Sequence, residues 1–333
     1  MSYLLQPLTI GPLALANRLV MPPMATAKAG PGGEVSPALL DYYAEKSAGG
    51  YLGLVIIEHS FVRADGQAGE NQLSSAADRV IPGLRQLAEV IHKNGSRCVL
   101  QINHAGSAAP PELTGAALLG PSAIANPRKG GIPHELSSAE IAALVVAFAA
   151  AARRVKEAGF DGVEIHSAHG YLLNQFFSPL TNRRDDEYGG NLSQRIRIHR
   201  EVIAAVRAAV GEDFPILLRL GASDFCDGGT TVADSQNAAR EFAEAGVAVL
   251  DISGGFSGYT VPGLSGQGYF APLATAVKQA VRIPVILTGG ITEPQAAEAL
   301  LAEGKADLIG VGRALLQDSA WARRAVESLR TPV

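Results

Sequence analysis

Cysteine is scarce in this chain: Cys98 and Cys226 are the two in 333 residues. A pair so far apart supplies no disulfide framework, no four-cysteine iron–sulfur cluster and no zinc finger, and it suggests a reduced, cytoplasmic setting. An excess of positive charge is also missing. Lys and Arg total 28 against 32 Asp and Glu, mixed along the chain for a net charge of -4, so no nucleic-acid surface is expected. No apolar run is long enough to span a bilayer; the longest is Ile141 to Ala152. The start, MSYLLQPLTIG, has no basic segment followed by an apolar stretch, so no signal peptide is expected.

What the chain does have is core material, with 47% hydrophobic residues. Leu8 to Leu19 reads as a small hairpin turning at Gly11-Pro12. Eight short apolar runs follow: Leu19–Met21, Leu52–Ile57, Cys98–Ile102, Val163–Ile165, Ile216–Leu220, Val247–Ile252, Val285–Leu287 and Leu308–Val311. Helical patterns separate them. Ile141, Leu144, Val145, Phe148 and Val155 share one helix face, with Ser137 and Glu140 as a capping box and Gly159 as the stop. Pro37 after Ser36 starts the first helix, and Thr292-x-x-Gln295 with Pro294 opens a later one. The expectation is one domain over 1–333, a closed (β/α)8 TIM barrel with an N-terminal β-hairpin and extended loops after strands three and six. An open doubly wound sheet would need a glycine turn after its first strand, where Pro22-Pro23-Met24-Ala25-Thr26 stands.

Barrels of this kind work at the C-terminal ends of their strands. Here those ends carry Glu58-His59, Gln101-Ile102-Asn103-His104, Glu164-Ile165-His166, Arg219 and Asp251. Strand four continues as His166-Ser167-Ala168-His169-Gly170-Tyr171. Two imidazoles and a phenol at one mouth can donate hydrogen bonds to an oxygen gaining negative charge, and the phenol can supply a proton. No third ligand of the usual spacing accompanies the two histidines, so no metal is expected. Alternation turns Glu164 and Arg219 towards the barrel axis on neighbouring strands, where each is expected to pair with the other.

Strand seven ends in Gly289-Gly290 and strand eight in Gly312-Arg313. Glycine turns there let a phosphate approach the backbone, and Arg313 adds a positive charge. Arg219 and Gln101 offer donors at the barrel mouth suited to the pyrimidine edge of an isoalloxazine. FMN fits this layout, with its phosphate at strands seven and eight and its ring near His166.

The chain resembles the Old Yellow Enzyme family over essentially its whole length. The resemblance rests on LANRLVMPPM (15–24), QINHAG (101–106), Glu164 to Tyr171, SPLTNRRDDEYGGNLSQR (178–195) and Gly312-Arg313. It implies that the backbone of Pro23, Met24 and Ala25 lies along the flavin, and that Gln101 and Arg219 bind the pyrimidine edge. Gly289, Gly290, Gly312 and Arg313 would hold the phosphate. His166 and His169 would grip a substrate oxygen, and Tyr171 would be the proton donor. The implied activity is ping-pong reduction of the activated C=C bond of an α,β-unsaturated carbonyl or nitro compound. NADH or NADPH would be the reductant and would visit the same pocket.

Three departures stand out. Ala25 and His59 both border the expected ring, Ala25 where a Thr or Cys is frequent and His59 where a small residue is common. The glycine-rich loop Gly254 to Gly268 matches no family pattern, and Tyr259 could act from it as an extra contact. Some relatives insert a terminal arginine into a neighbour's site, which makes Arg330 a residue to place, and barrels of this family often associate into homo-oligomers. Amine oxidation, dienoyl-thioester reduction and a flavin-binding redox partner without turnover stay open as other readings. A tRNA dihydrouridine synthase would want a basic surface and a site cysteine, which the charge and cysteine placement oppose.

Overall fold

The computed structural model describes residues 2–330. Barrel strands one to eight are Leu19–Met21, Leu54–Phe61, Arg97–Asn103, Gly162–Ser167, Ile216–Gly221, Val249–Ser253, Val285–Thr288 and Leu308–Gly310. They pair in parallel and in sequence order, and the eighth closes on the first. Each is followed by a main helix: Pro37–Ser47, Ile81–Lys93, Ser138–Glu157, Arg197–Val210, Val232–Glu244, Ala271–Ala280, Pro294–Ala302 and Trp321–Arg330. The expected TIM barrel is the observed fold.

Two apolar layers hold it together. Outward side chains such as Val163, Ile165, Leu218 and Leu220 pack under the helices. Inward ones, including Leu54, Ile56, Val99, Leu217, Val249, Ile286 and Leu308, fill the axis. The hairpin Leu8–Ile10 with Leu13–Leu15 closes the N-terminal mouth by packing Ile10, Leu13 and Leu15 against that inner cluster. The barrel is therefore plugged at one end, and the opposite end is left for a site.

Local signals explain several element boundaries. The Ser36 hydroxyl accepts from Leu39 N at the first helix, with Pro at its start. Ser137 and Glu140 form the capping box of Ser138–Glu157, and Gly159 just beyond takes φ +89, which favours glycine. One expected cap fails. The helix Pro294–Ala302 starts from Glu293 without a side-chain cap. Thr292 Oγ1 accepts instead from Gln267 Nε2 at 2.8 Å, because the strand-six loop folds back beside it.

Both extended loops are present. The loop after strand three carries a small strand pair, Leu119–Gly120 with His134–Glu135. The loop after strand six runs from Gly254 to the helix at Ala271. Arg330 is an exposed residue ending the last helix, and the tail after it lies outside the described residues.

Candidate active site

The C-terminal mouth of the barrel opens into a cavity of about 790 Å³. Its floor is a buried polar layer. Gln101, Glu164, Arg219 and Asp251 are at most 4% exposed, and all point inward by strand alternation. The expected Glu164–Arg219 pair is not the one formed. Strand register sets Arg219 level with Asp251 and His166, and Glu164 level with Gln101 and Leu217. Arg219 Nε lies 3.3 Å from Asp251 Oδ2, and Gln101 Nε2 donates to Glu164 Oε2 at 2.7 Å. Arg219 also reaches the Pro23 carbonyl through Nη1 at 3.4 Å. Two buried carboxylates thus lie near one guanidinium, and only Asp251 pairs with it. Burial pushes the Glu164 and Asp251 carboxyls above their usual range against the pull of Arg219.

The end of strand four and the turn after it carry the two imidazoles and the phenol singled out from the sequence. His169 holds φ +62, a left-handed conformation unusual outside glycine. The surroundings enforce it. Its N–H donates to the Gly254 carbonyl at 3.2 Å, its Nε2 lies 2.8 Å from Ser253 Oγ, and Arg128 Nη1 donates to its carbonyl at 3.1 Å. Asn174 Oδ1 accepts from Gly170 N, and Gln175 Nε2 bridges the Gly170 and Ala105 carbonyls. Gln175 thus ties the QINHAG turn to the His-Gly-Tyr turn. Gly106 must be glycine there, since a Cβ would sit 2.5 Å from Gln175 Oε1.

Around this turn the rings converge. The His166 centroid is 5.0 Å from that of His169 and 5.1 Å from that of Tyr171, both edge-on. His59 joins them with its side chain, 5.5 Å from Tyr171, and Gln72 Nε2 meets its Nδ1 at 2.6 Å. Burial pulls His166 and His169 well below the usual imidazole pKa, with Arg219 adding to the effect. His59 falls to about 4 for the same two reasons. Tyr171 is pushed above its ordinary value by burial, which Arg128 partly opposes. At neutral pH the cluster is three neutral imidazoles and an intact phenol.

The strand-seven and strand-eight glycines form the far wall. Gly289 and Gly290 have φ +131 and +69, and a Cβ on Gly290 would meet the Gly266 carbonyl at 2.3 Å. Arg313 extends over the Tyr269 ring, 5.9 Å from its centroid.

Every site residue expected from sequence lines this one cavity: Pro23, Met24, Ala25, His59, Gln101, His166, His169, Tyr171, Arg219, Gly289, Gly290, Gly312 and Arg313. Tyr259 and Ser265 from the strand-six loop, with Arg128 and Tyr269, line it as well. Arg128 and Tyr269 had no local signal, since long loops bring them in. The SPLTNRRDDEYGGNLSQR segment stays outside. It is a brace, in which buried Arg184 donates to the Pro121 and Leu136 carbonyls at 2.8 and 2.6 Å and forks onto Asp186.

The residues fit FMN. His166 Nδ1 and Thr288 Oγ1 are buried without hydrogen-bond partners and belong to residues that line the cavity. Such atoms are costly unless a polar guest satisfies them. The cavity's volume lies within the usual range for small-molecule and cofactor sites, and Gly289, Gly290, Gly312 and Arg313 line it.

Barrel, polar floor and glycine wall together define a flavin-binding (β/α)8 oxidoreductase. The chain belongs to the NADH:flavin oxidoreductase / NADH oxidase family, whose model matches residues 3–331. FMN is the cofactor of that family. An NADH oxidase of Thermoanaerobacter brockii is 42% identical over 332 residues, covering 97% of this chain and 50% of that protein. The chain thus spans about half the length of the first relatives it matches. An NADPH dehydrogenase of Bacillus subtilis is 37% identical over 331 residues, covering 99% and 96%. The Old Yellow Enzyme homologue of Zymomonas mobilis superposes with TM-score 0.86 at 26% identity, covering 99% and 94%. Among the described residues no helix is long and apolar enough to cross a membrane.

Proposed function

We propose that this chain is an ene-reductase, acting as one FMN-binding domain on the activated C=C bond of α,β-unsaturated carbonyl or nitro compounds. The observation that carries the reading is the convergence of His166, His169 and Tyr171, with centroids 5.0 and 5.1 Å apart, over a floor anchored by Arg219. When bound, FMN supplies hydride chemistry, charged by NADH or NADPH in the same pocket.

The chain's own residues do the rest. Gln101 and Arg219 orient the ring's polar edge, and the backbone of Pro23, Met24 and Ala25 flanks it. Gly289, Gly290, Gly312 and Arg313 receive the phosphate. His166 and His169 hold the substrate oxygen as neutral N–H donors, so negative charge building on that oxygen is stabilised without a proton being lost to it. Tyr171 keeps its proton until the carbon next to the activating group needs one. His59 narrows the pocket beside Tyr171, where its ring takes up space that a small residue would leave open.

Flavin spectra test this. The purified protein should be yellow, bleach anaerobically with NADH or NADPH, and recover colour with cyclohexenone or a maleimide. A colourless protein that takes up no FMN would sink the reading, as would a reduced flavin left untouched by every activated alkene.

A further inference from the structure

The plugged end of the barrel holds a second cluster of ligand-type side chains. His92 sits in the last turn of the helix Ile81–Lys93. Cys98 is the second residue of strand three, and Asp161 immediately precedes strand four. This is the face of a barrel associated with stability, remote from the chemistry. Imidazole nitrogen, thiol sulfur and carboxylate oxygen all lie within 4.8 Å of one another. His92 Nε2 is 2.6 Å from Asp161 Oδ2 and 3.4 Å from Cys98 Sγ. Asp161 also accepts from the Cys98 backbone N–H at 2.8 Å and from Arg97 Nη1 at 3.2 Å.

Three residues of these types could suggest a thiol nucleophile. The geometry opposes it, because thiol and carboxylate both address the same imidazole nitrogen and the ring cannot relay a proton between them. Cys98 is fully buried, and burial with the nearby Asp161 charge pushes its thiol well above the ordinary value.

A metal uses the same features differently. Around a tetrahedral zinc ion with ordinary bond lengths, N···S is about 3.6 Å and N···O about 3.4 Å. The His92–Cys98 distance is already close to that. The His92–Asp161 contact must open by about 0.8 Å, and His92, with a side chain 32% exposed at a helix end, has room to turn. Thiolate and carboxylate together neutralise a divalent cation, while Arg97 stays on the other carboxylate oxygen. A second, independent feature points the same way. A cavity of about 340 Å³ opens beside the cluster, lined by His92, Ser96 and Arg97. Ser96 is 2% exposed, and its hydroxyl has no partner. It is left to bond a water in that cavity, beside His92.

We propose that His92, Cys98 and Asp161 form a binding site for a divalent cation of the zinc class, which staples the helix Ile81–Lys93 to strands three and four. Binding releases the Cys98 thiol proton, and an imidazole bound through Nε2 carries its ring proton on Nδ1. The site is independent of FMN chemistry.

The test uses flavin-loaded protein stripped with a chelator and titrated with Co²⁺, then Zn²⁺. The expected result is one equivalent of cobalt, a thiolate-to-cobalt charge-transfer band in the near ultraviolet, proton release on binding, and displacement of cobalt by zinc with a rise in Tm. Cys98→Ser should abolish the band, and His92→Gln should weaken binding at least about tenfold. Both variants should keep the flavin spectrum and turnover, which also reports that they fold. No saturable cobalt binding would overturn the proposal. So would a band that survives in Cys98→Ser, which would mean that Cys226 or the surface holds the ion.

Discussion

Arg219 leans on Asp251: its Nε lies 3.3 Å from Oδ2, with side chains 5% and 0% exposed. Glu164, the other inward carboxylate, is served by Gln101 instead. The guanidinium is thereby held at the cavity floor by one acid and one backbone carbonyl, with the rest of its donors left for a guest. Asp251→Asn removes the charge and keeps the volume, leaving a buried guanidinium without its counter-ion. Breaking a buried pair in this way costs about 3 kcal/mol or more. Urea denaturation of the variant should show that loss, together with weaker FMN retention. A variant as stable as the parent would mean that Glu164 takes over the charge.

Tyr171 should separate the two half-reactions. Tyr171→Phe removes the phenolic proton and little else, so flavin reduction by NADH or NADPH should proceed near the parental rate. Reoxidation by an enone should slow by about a hundredfold, the lower end of general-acid contributions. Anaerobic stopped-flow measurement of each half-reaction checks this. Equal slowing of both would place Tyr171 in ring or nicotinamide binding rather than in proton transfer.

His166 and His169 should act without titrating. Both are pulled well below the ordinary imidazole value of 6.5 by burial. The pH profile of kcat/KM should therefore show no step near that value that is lost when either histidine is replaced. His166→Ala or His169→Ala should cost about 10² in enone turnover, the scale of one lost oxyanion donor, while FMN stays bound. A clear ionisation near neutrality that disappears in either variant would show a protonated imidazole at work.

Glu58 gives a stability prediction. It is 1% exposed within strand two, where its Oε2 accepts from Thr26 N. Burial raises its carboxyl from 4.5 to about 7 against that hydrogen bond. A folded-state value above the unfolded one means that the fold holds the proton more tightly. The associated stability is complete below pH 4.5 and is lost as pH rises through about 7. The loss amounts to about 3 kcal/mol. Glu58→Gln lacks this contribution, so the gap between parent and variant should change by that amount in urea melts at the two ends. A constant gap would show that the fold leaves the Glu58 carboxyl at its unfolded value.

Much of this site could be read from residue order. Strand ends, glycine turns and the His-x-x-His-Gly-Tyr turn are local, and alternation says which side chains face the axis. Alternation does not give height. Glu164 and Asp251 both point inward, and only the register across strands four, five and six places Asp251 level with Arg219. Arg128 and Tyr269 reach the pocket through loops whose paths depend on distant contacts. The Thr292 cap failed for a similar reason, since Gln267 claimed the hydroxyl first. The most family-specific segment, around Arg184, proved to be a brace outside the pocket, where buried carbonyls rather than substrate fix the residue type.

Gly290 tests the phosphate wall apart from the ring chemistry. At φ +69, a Cβ would sit 2.3 Å from the Gly266 carbonyl and 2.8 Å from Tyr269 Cδ1. Gly290→Ala therefore pays about 1–2 kcal/mol for a left-handed alanine and must also push the strand-six loop outward. Both effects fall on the stretch expected to hold the phosphate, while His166, His169 and Tyr171 are carried by another strand. FMN affinity, followed by quenching of flavin fluorescence, should fall at least about tenfold, the equivalent of about 1.4 kcal/mol. Riboflavin, which lacks the phosphate, should bind parent and variant with similar affinity. If riboflavin weakened as much as FMN, the glycine turn would be shaping the ring pocket instead of receiving the phosphate.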